Sequence, residues 1–321
     1  MRKKIIVISG DPNSINSEII FKSWKNISNR LKKNIYFISN YDLLKNQFKR
    51  LGYACSLKKV KNIKENLKDN SLKIIDVRLK FKDPFNVSTL NASKFTINCL
   101  NIGHELALKK DVLGIINCPI NKKLLIKKNY GVTDFLAKKN NLKNKEEVML
   151  IKNNKLAVSP ITTHIDLKDV HKNIKKDLII RKVKVINEWF TKNYKKKPKI
   201  GVLGLNPHNA ELRKDSHEIK EIIPSISLLK KAKINISGPL VADTTFINEY
   251  KNYDVIIGMY HDQVLTPFKT LFKFKAINIT LGLKYLRASP DHGVASNLIG
   301  KNKADNSSFL ECLNFFNKLS S

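Results

Sequence analysis

The chain reads as an α/β protein with a largely parallel sheet flanked by helices, and three observations lead there. Apolar runs of about five residues, rich in Val and Ile, recur along it, as in IIVIS (5–9), LKIIDV (72–77) and VLGIIN (112–117). Helix-periodic stretches alternate with these runs, as parallel strands joined by crossover helices require. Three runs end in histidine: LAVSPITTH at His164, KIGVLGLNPH at His208 and YDVIIGMYH at His261.

The elements follow in order. IIVIS passes into Gly10-Asp11-Pro12-Asn13-Ser14, turn-forming residues that end the strand before an amphipathic helix from about Ser17. NIYFIS (34–39) is the second strand, followed by a helix near 41–50 and the strand at 72–77. Helical periodicity returns over 88–110 with Ser88 as N-cap, and the buried strand 112–117 then runs into Cys118-Pro119-Ile120-Asn121-Lys122. Residues 166–190 read as one long helix, and 216–232 as another that Pro224 breaks. AINITLG (276–282) is a strand, followed by a Gly-containing loop and a closing helix near 308–319. With 321 residues and no internal repeat, a two-lobed enzyme with a cleft between the lobes is expected.

The formal charge of +33 invites a nucleic-acid reading. Its lysines are spread along the whole chain beside abundant Asn and Ile, a pattern of A/T-rich coding, and no helix-turn-helix, zinc-finger or aromatic RNA-binding signature accompanies them. The charge therefore reads as a solvated surface with a secondary attraction for anionic substrates, without specific nucleic-acid binding. Cys55, Cys99, Cys118 and Cys312 are scattered within apolar sequence and read as free thiols. No apolar stretch reaches the roughly 18 residues that a membrane span needs, and the N-terminal apolar run is too short for a signal peptide. A reducing, cytoplasmic setting is expected.

Three imidazoles carried to the carboxyl edge of one sheet can hold a divalent ion and leave positions open for substrate. One such histidine would be satisfied locally; three in the same context favour a site. Zinc, cobalt or nickel suits imidazole, and oxygen ligands from a hydroxy acid would admit manganese or magnesium. No G-x-G-x-x-G follows the first strand, so a Rossmann site is not supported. The tract 258–300 instead spaces Asp262, Lys269, Asn278 and Arg287 through apolar surroundings, while Lys273 and Lys275 read as snorkelling surface residues. Arg287 is one of few arginines, and its planar fork suits phosphate or carboxylate.

NCPINK (117–122), THIDLKDV (163–170), GLNPHNAE (204–211), GPLVADTTF (238–246), YDVIIGMYHDQ (253–263) and NITLGLKYLRASPDHG (278–293) occur together and in this order. In these stretches the chain resembles the 4-hydroxythreonine-4-phosphate dehydrogenases, NAD-dependent enzymes of pyridoxal phosphate biosynthesis. The resemblance implies the fold of isocitrate and isopropylmalate dehydrogenases and a homodimer with active sites shared at the subunit interface. It implies a cofactor-side lobe of residues 1–128 with 283–321, and a metal-binding and dimerisation lobe of 129–282. His164, His208 and His261 match the metal ligands, one of them expected from the partner subunit. Thr133, Lys269, Asn278 and Arg287 match substrate-binding positions. Asp291, His292, Gly293 and Ala295 match the loop that receives the adenosine end of NAD or NADP, although a helix-entry turn would also account for Gly293. Lys269 is the candidate for proton handling or phosphate contact, with Asp262 and Asp243 orienting the ligating imidazoles.

Three departures stand out. Val132 replaces the histidine usual before the threonine, PNSINSE (12–18) replaces a glycine-rich first loop, and Asn209-Ala210-Glu211-Leu212-Arg213-Lys214 replaces a glycine-rich continuation after Asn-Pro-His. The implied reaction is metal-dependent oxidation by NAD and decarboxylation of 4-phosphohydroxy-L-threonine. Oxidation of a related acid, 4-phosphothreonate or 4-phosphoerythronate, is the alternative that Val132 raises. A non-catalytic binding protein that keeps the fold is a third reading, and retention of all three histidines opposes it.

Overall fold

The computed structural model describes residues 3–65, 67, 69–125, 131–142, 147–273 and 275–320. The chain divides into two compact units, Met1–Leu142 with Leu283–Ser321, and Lys143–Gly282. The first division falls later than residue 128, because helix α5 (Val132–Lys139) buries Leu136 in the first unit's core beside Phe95 and Tyr285.

The first unit begins with β1 (Lys4–Ile8), α1 (Asn16–Asn26), α2 (Asn29–Lys32), β2 (Ile35–Ser39) and α3 (Tyr41–Arg50). It continues through β3 (Leu57–Lys59), β4 (Leu72–Asp76), α4 (Thr89–Ala107), β5 (Val112–Asn117) and α5. The Asn40 side chain accepts from Leu43 N–H at 2.8 Å and starts α3, as an N-cap should. Ser88 stands at the N-cap of α4, but its side chain makes no capping bond.

The second unit contains β6 (Val148–Lys152), β7 (Ala157–Thr162), α6 (Leu167–Asn173), α7 (Lys176–Tyr194), β8 (Ile200–Leu203) and α8 (Ile223–Lys231). Then come β9 (Ile236–Leu240), α9 (Ala242–Thr245), β10 (Val255–Tyr260), α10 (His261–Phe272) and β11 (Ile277–Leu281). The long helix expected over 166–190 is two helices. Ile174 and Lys175 are extended between them, Ile174 is buried in the core, and the Glu221 carboxylate accepts the Lys176 N–H at 2.6 Å to start α7. Nor does Pro224 break its segment. A π-turn at Glu218–Ile222 leads directly into α8, and Pro224 sits where the wider π-turn meets the α-helix. The chain then returns to the first unit with β12 (Leu286–Pro290) and α11 (Ser307–Leu319).

In the first unit the strands lie in the order β3-β4-β2-β1-β5-β12, all parallel. Gly114 sits opposite Leu286, where a Cβ would run into the Leu286 carbonyl, so glycine permits the close β5–β12 pairing that places Arg287. The chain steps from β1 to β2 on one side, while β5 lies on the other. The carboxyl ends of β1 and β5 thus flank a topological switch point. In the second unit the order is β11-β6-β7-β10-β8-β9, with β7, β10, β8 and β9 parallel and β6 antiparallel to both its neighbours. Val158, Ile256, Leu203, Val264 and Phe268 make up much of the core beneath the histidine-bearing edge. Among the described residues no helix is long and apolar enough to cross a membrane.

Candidate active site

Because β7, β10 and β8 are adjacent and parallel, the three histidines emerge on one sheet edge. His164 follows β7, His261 opens α10 directly after β10, and His208 lies beyond β8. Thr162 donates through Oγ1 to the Met259 carbonyl at 2.8 Å and ties the ends of β7 and β10 together. The rings of His164 and His261 then lie with centroids 5.6 Å apart. Two imidazoles on one tetrahedral ion would place their centroids roughly 5 Å apart, given zinc–nitrogen distances of about 2 Å. The His261 Nδ1 meets Asp262 Oδ1 at 2.6 Å, which orients the ring and makes Nε2 the nitrogen that could hold an ion. Beside the pair opens a cavity of about 220 Å³ lined by Thr162, His164, Leu167, Tyr260, His261 and Asp262.

His208 does not join this pair. Among the described residues no group of three His, Cys, Asp or Glu side chains could hold a metal ion. His208 is exposed on a left-handed turn in which His208, Asn209, Ala210, Glu211 and Leu212 all have φ between 47° and 56°. This is where glycines were expected and are missing, so L-residues adopt a conformation that glycine takes without strain. The loop is held from beneath. Glu218, fully buried, accepts from the Leu205 and Asn206 N–H groups at 2.8 Å each, and from the Asn206 side chain. Burial pushes its carboxyl up, and these hydrogen bonds outweigh it and leave the pKa below the usual value. Gln263 joins the neighbouring strand ends, accepting from Met259 N–H at 2.7 Å and donating to the Gly204 carbonyl at 2.8 Å. His164 and Ala295 are also left-handed, at φ 54° and 47°.

Other expected residues of this unit lie apart from the imidazole pair. Lys269 is exposed two turns along α10, its Cα about 12 Å from that of His261 by helix rise. Asp243 is exposed in α9 and, unlike Asp262, bonds to none of the three imidazoles among the described residues. Asn278 lies on β11 opposite Ile151, and its Oδ1 is buried without a hydrogen-bond partner among the described residues. Such an atom is costly unless a ligand satisfies it.

The first unit carries the second cluster. Arg287, expected in a loop, is in β12 and 3% exposed. Its Nε donates to Asn117 Oδ1 at 2.7 Å and its Nη1 to Thr133 Oγ1 at 3.4 Å. Burial brings the guanidinium pKa down to about 10, still protonated at neutral pH. Val132 precedes Thr133 at the start of α5 and packs on the core. Beyond β12, Asp291 N–H donates to Ser308 Oγ at 2.8 Å, while the buried Nε2 of His292 has no hydrogen-bond partner among the described residues. A Cβ on Gly293 would meet nothing, and its φ lies outside the left-handed region. A turn that needs glycine therefore does not account for it; the space in front of it leaves room for a ligand.

A buried guanidinium and a close, tilted imidazole pair are carried on an α/β scaffold, and comparison with known proteins says which class of protein this is. The family described as pyridoxal phosphate biosynthetic protein PdxA matches residues 30–316. A 4-hydroxythreonine-4-phosphate dehydrogenase of Aquifex aeolicus is 38% identical over 99% of both chains. A protein of Oceanobacillus iheyensis provisionally named D-threonate 4-phosphate dehydrogenase is 34% identical over 97% of this chain and 96% of its own. The crystal structure of 4-hydroxythreonine-4-phosphate dehydrogenase from Klebsiella pneumoniae superposes with a TM-score of 0.86 at 27% identity, covering 99% of this chain and all of that one (100%). The chain belongs to the pyridoxal phosphate biosynthetic protein PdxA family and is a dehydrogenase.

Sequence reasoning passed over several residues that shape these clusters. Asn117 closes a strand within a motif stretch, and its place opposite a buried arginine was the missing signal. Glu218 and Gln263 look like ordinary helix-surface polar residues in the sequence. Only the fold reveals that they pin the two histidine loops.

Proposed function

We propose that the protein oxidises and decarboxylates 4-phosphohydroxy-L-threonine with NAD or NADP and a divalent ion, in the pathway to pyridoxal 5'-phosphate. The observation that carries this reading is the His164–His261 pair, spaced for one ion and oriented by Asp262 beside an open cavity. When bound, the ion supplies Lewis acidity and the dinucleotide accepts hydride.

The rest falls to the chain's own residues. His164 and His261 hold the ion, and His208 completes the donor set when two copies meet, one of the three imidazoles coming from the second copy. Leu167 and Ile247, 70% and 68% exposed on the histidine-bearing unit, are the apolar groups that such a homodimer would cover. Asp262 accepts from His261 Nδ1, which turns Nε2 to the ion. Arg287 and Thr133 bind an anionic group of the substrate, Asn278 supplies a polar contact, and Lys269 contacts phosphate or handles the proton. The loop Asp291–Ala295 receives the dinucleotide, with His292 Nε2 as a waiting polar atom. The free cysteines suit a reducing cytoplasm.

A second reading, dehydrogenation of 4-phosphothreonate, is favoured by Val132 and by the name of the Oceanobacillus relative. Steady-state formation of reduced cofactor from each acid tests the choice. A higher kcat/KM on 4-phosphohydroxy-L-threonine supports the first reading, and a higher value on 4-phosphothreonate overturns it.

A further inference from the structure

Helix α1 grips the loop between β12 and α11 from end to end. Near the start, Ile15 N–H donates to the Val294 carbonyl at 3.3 Å. One turn on, Glu18 is fully buried, and its two oxygens accept the N–H groups of Asn302 at 3.1 Å and Ala304 at 3.0 Å. A further turn on, Lys22 Nζ donates to the carbonyls of the same two residues, at 3.2 Å and 2.9 Å, and stands 3.6 Å from Glu18 Oε2. Asn306 donates to Ser23 Oγ at 2.9 Å, and Tyr53 OH meets Asn302 Oδ1 at 2.5 Å. A carboxylate and an ammonium one helical turn apart thus hold both the N–H and the C=O of residues 302 and 304.

The gripped segment is otherwise ill suited to keep one shape. Ala295 and Asn302 have φ of 47° and 56°, which disfavours L-residues. Between the anchors at Val294 and Asn302 the chain makes short turns, such as Leu298 N–H to the Ala295 carbonyl at 2.8 Å and Lys301 N–H to the Leu298 carbonyl at 3.1 Å. Burying a carboxylate completely carries a desolvation cost, and here both of its oxygens accept from this one loop.

We propose that Glu18 and Lys22 are positioning residues for the dinucleotide, holding residues 291–306 in the shape that receives it. The proposal rests on the reading above that Asp291–Ala295 binds the cofactor. Apparent affinity falls in proportion to the fraction of molecules in the competent shape. Loss of the clamp should therefore weaken cofactor binding while leaving the phosphorylated acid, bound by other elements, unaffected.

The test is fluorescence titration with NADH and NADPH of the full-length wild-type protein and of Lys22→Met, Lys22→Arg and Glu18→Gln, with steady-state kinetics alongside. For Lys22→Met the expected result is a Kd about tenfold higher, with kcat at saturating cofactor and KM for the phosphorylated acid unchanged. Lys22→Arg, which can reach the same two carbonyls, should restore the Kd to within about twofold. Lys22 is partly exposed, so Lys22→Met keeps the test sound if Glu18→Gln fails to fold. Wild-type affinity in Lys22→Met overturns the clamp and leaves the cofactor reading standing. An equal loss in the KM of the acid reduces the pair to a structural role and also overturns it. A wild-type protein that binds neither nucleotide overturns the cofactor reading itself, and the clamp with it.

Discussion

The Nε of buried Arg287 donates to Asn117 Oδ1 at 2.7 Å, joining the start of β12 to the carboxyl end of β5. This bond sets the plane of the guanidinium, and the Nη1 contact to Thr133 sets its rotation. A lysine at this position has neither the length nor the planar fork to keep both. Arg287→Lys should therefore lower kcat/KM at least tenfold although the charge is retained. Unchanged kinetics would show that the side chain serves only the fold.

Asp11 gives a pH prediction. It is buried in the loop after β1, and burial pushes its carboxyl up to about 6, against smaller lowering by the Asn13 and Asn121 N–H bonds. A carboxyl with a folded pKa above its unfolded one binds more protons when folded, so stability falls as pH rises between about 4 and 6. Asp11→Asn keeps an acceptor for Asn13 and removes the ionisation. Between pH 4 and pH 7 it should gain about 1–3 kcal/mol relative to wild type, measured by urea unfolding at each pH. Parallel pH profiles of the two proteins would contradict this.

The left-handed turn after β8 predicts a stabilising change. Ala210 has φ 52° and carries a Cβ into a region that costs about 1–2 kcal/mol per L-residue. Ala210→Gly relieves that strain but widens the unfolded ensemble, so a net gain of about 0.5–1 kcal/mol is expected from the denaturation midpoint. A loss of stability would mean that the Ala210 methyl's packing outweighs the strain.

Val132 tests substrate choice. It packs on the core at the start of α5, next to the Thr133 hydroxyl that Arg287 contacts. A histidine there could add one hydrogen bond to an anionic group, worth roughly 1.5–3 kcal/mol or about one to two decades in affinity. Val132→His should raise kcat/KM on 4-phosphohydroxy-L-threonine. A gain confined to 4-phosphothreonate would overturn that choice.

Much of the fold was legible because strands such as 112–117 are apolar on both faces and bounded by turn residues. β12 was not, since Leu-Arg-Ala-Ser-Pro looks like a loop until Asn117 and Thr133 are seen to satisfy its arginine. The split of α6 from α7 was hidden for a similar reason: the Glu221 carboxylate that starts α7 comes from a distant segment. At the site, the strand-end rule brought the three histidines to one edge, yet periodicity cannot tell how far each loop reaches. His164 and His261 converge because Thr162 ties their strands, whereas His208 rides on a turn whose left-handed course no pattern of side chains announced.

The proposed reaction needs this edge to hold a divalent ion while the dinucleotide takes hydride from the phosphorylated acid. The most direct measurement is reduced cofactor and carbon dioxide formed from 4-phosphohydroxy-L-threonine by the chelator-stripped protein, before and after adding zinc, cobalt or manganese, in wild type and His164→Ala. No turnover is expected without metal, with recovery of both products in equal amounts on adding it, and neither recovery nor retained metal in folded His164→Ala. Full turnover by the stripped protein, or by His164→Ala, would contradict this.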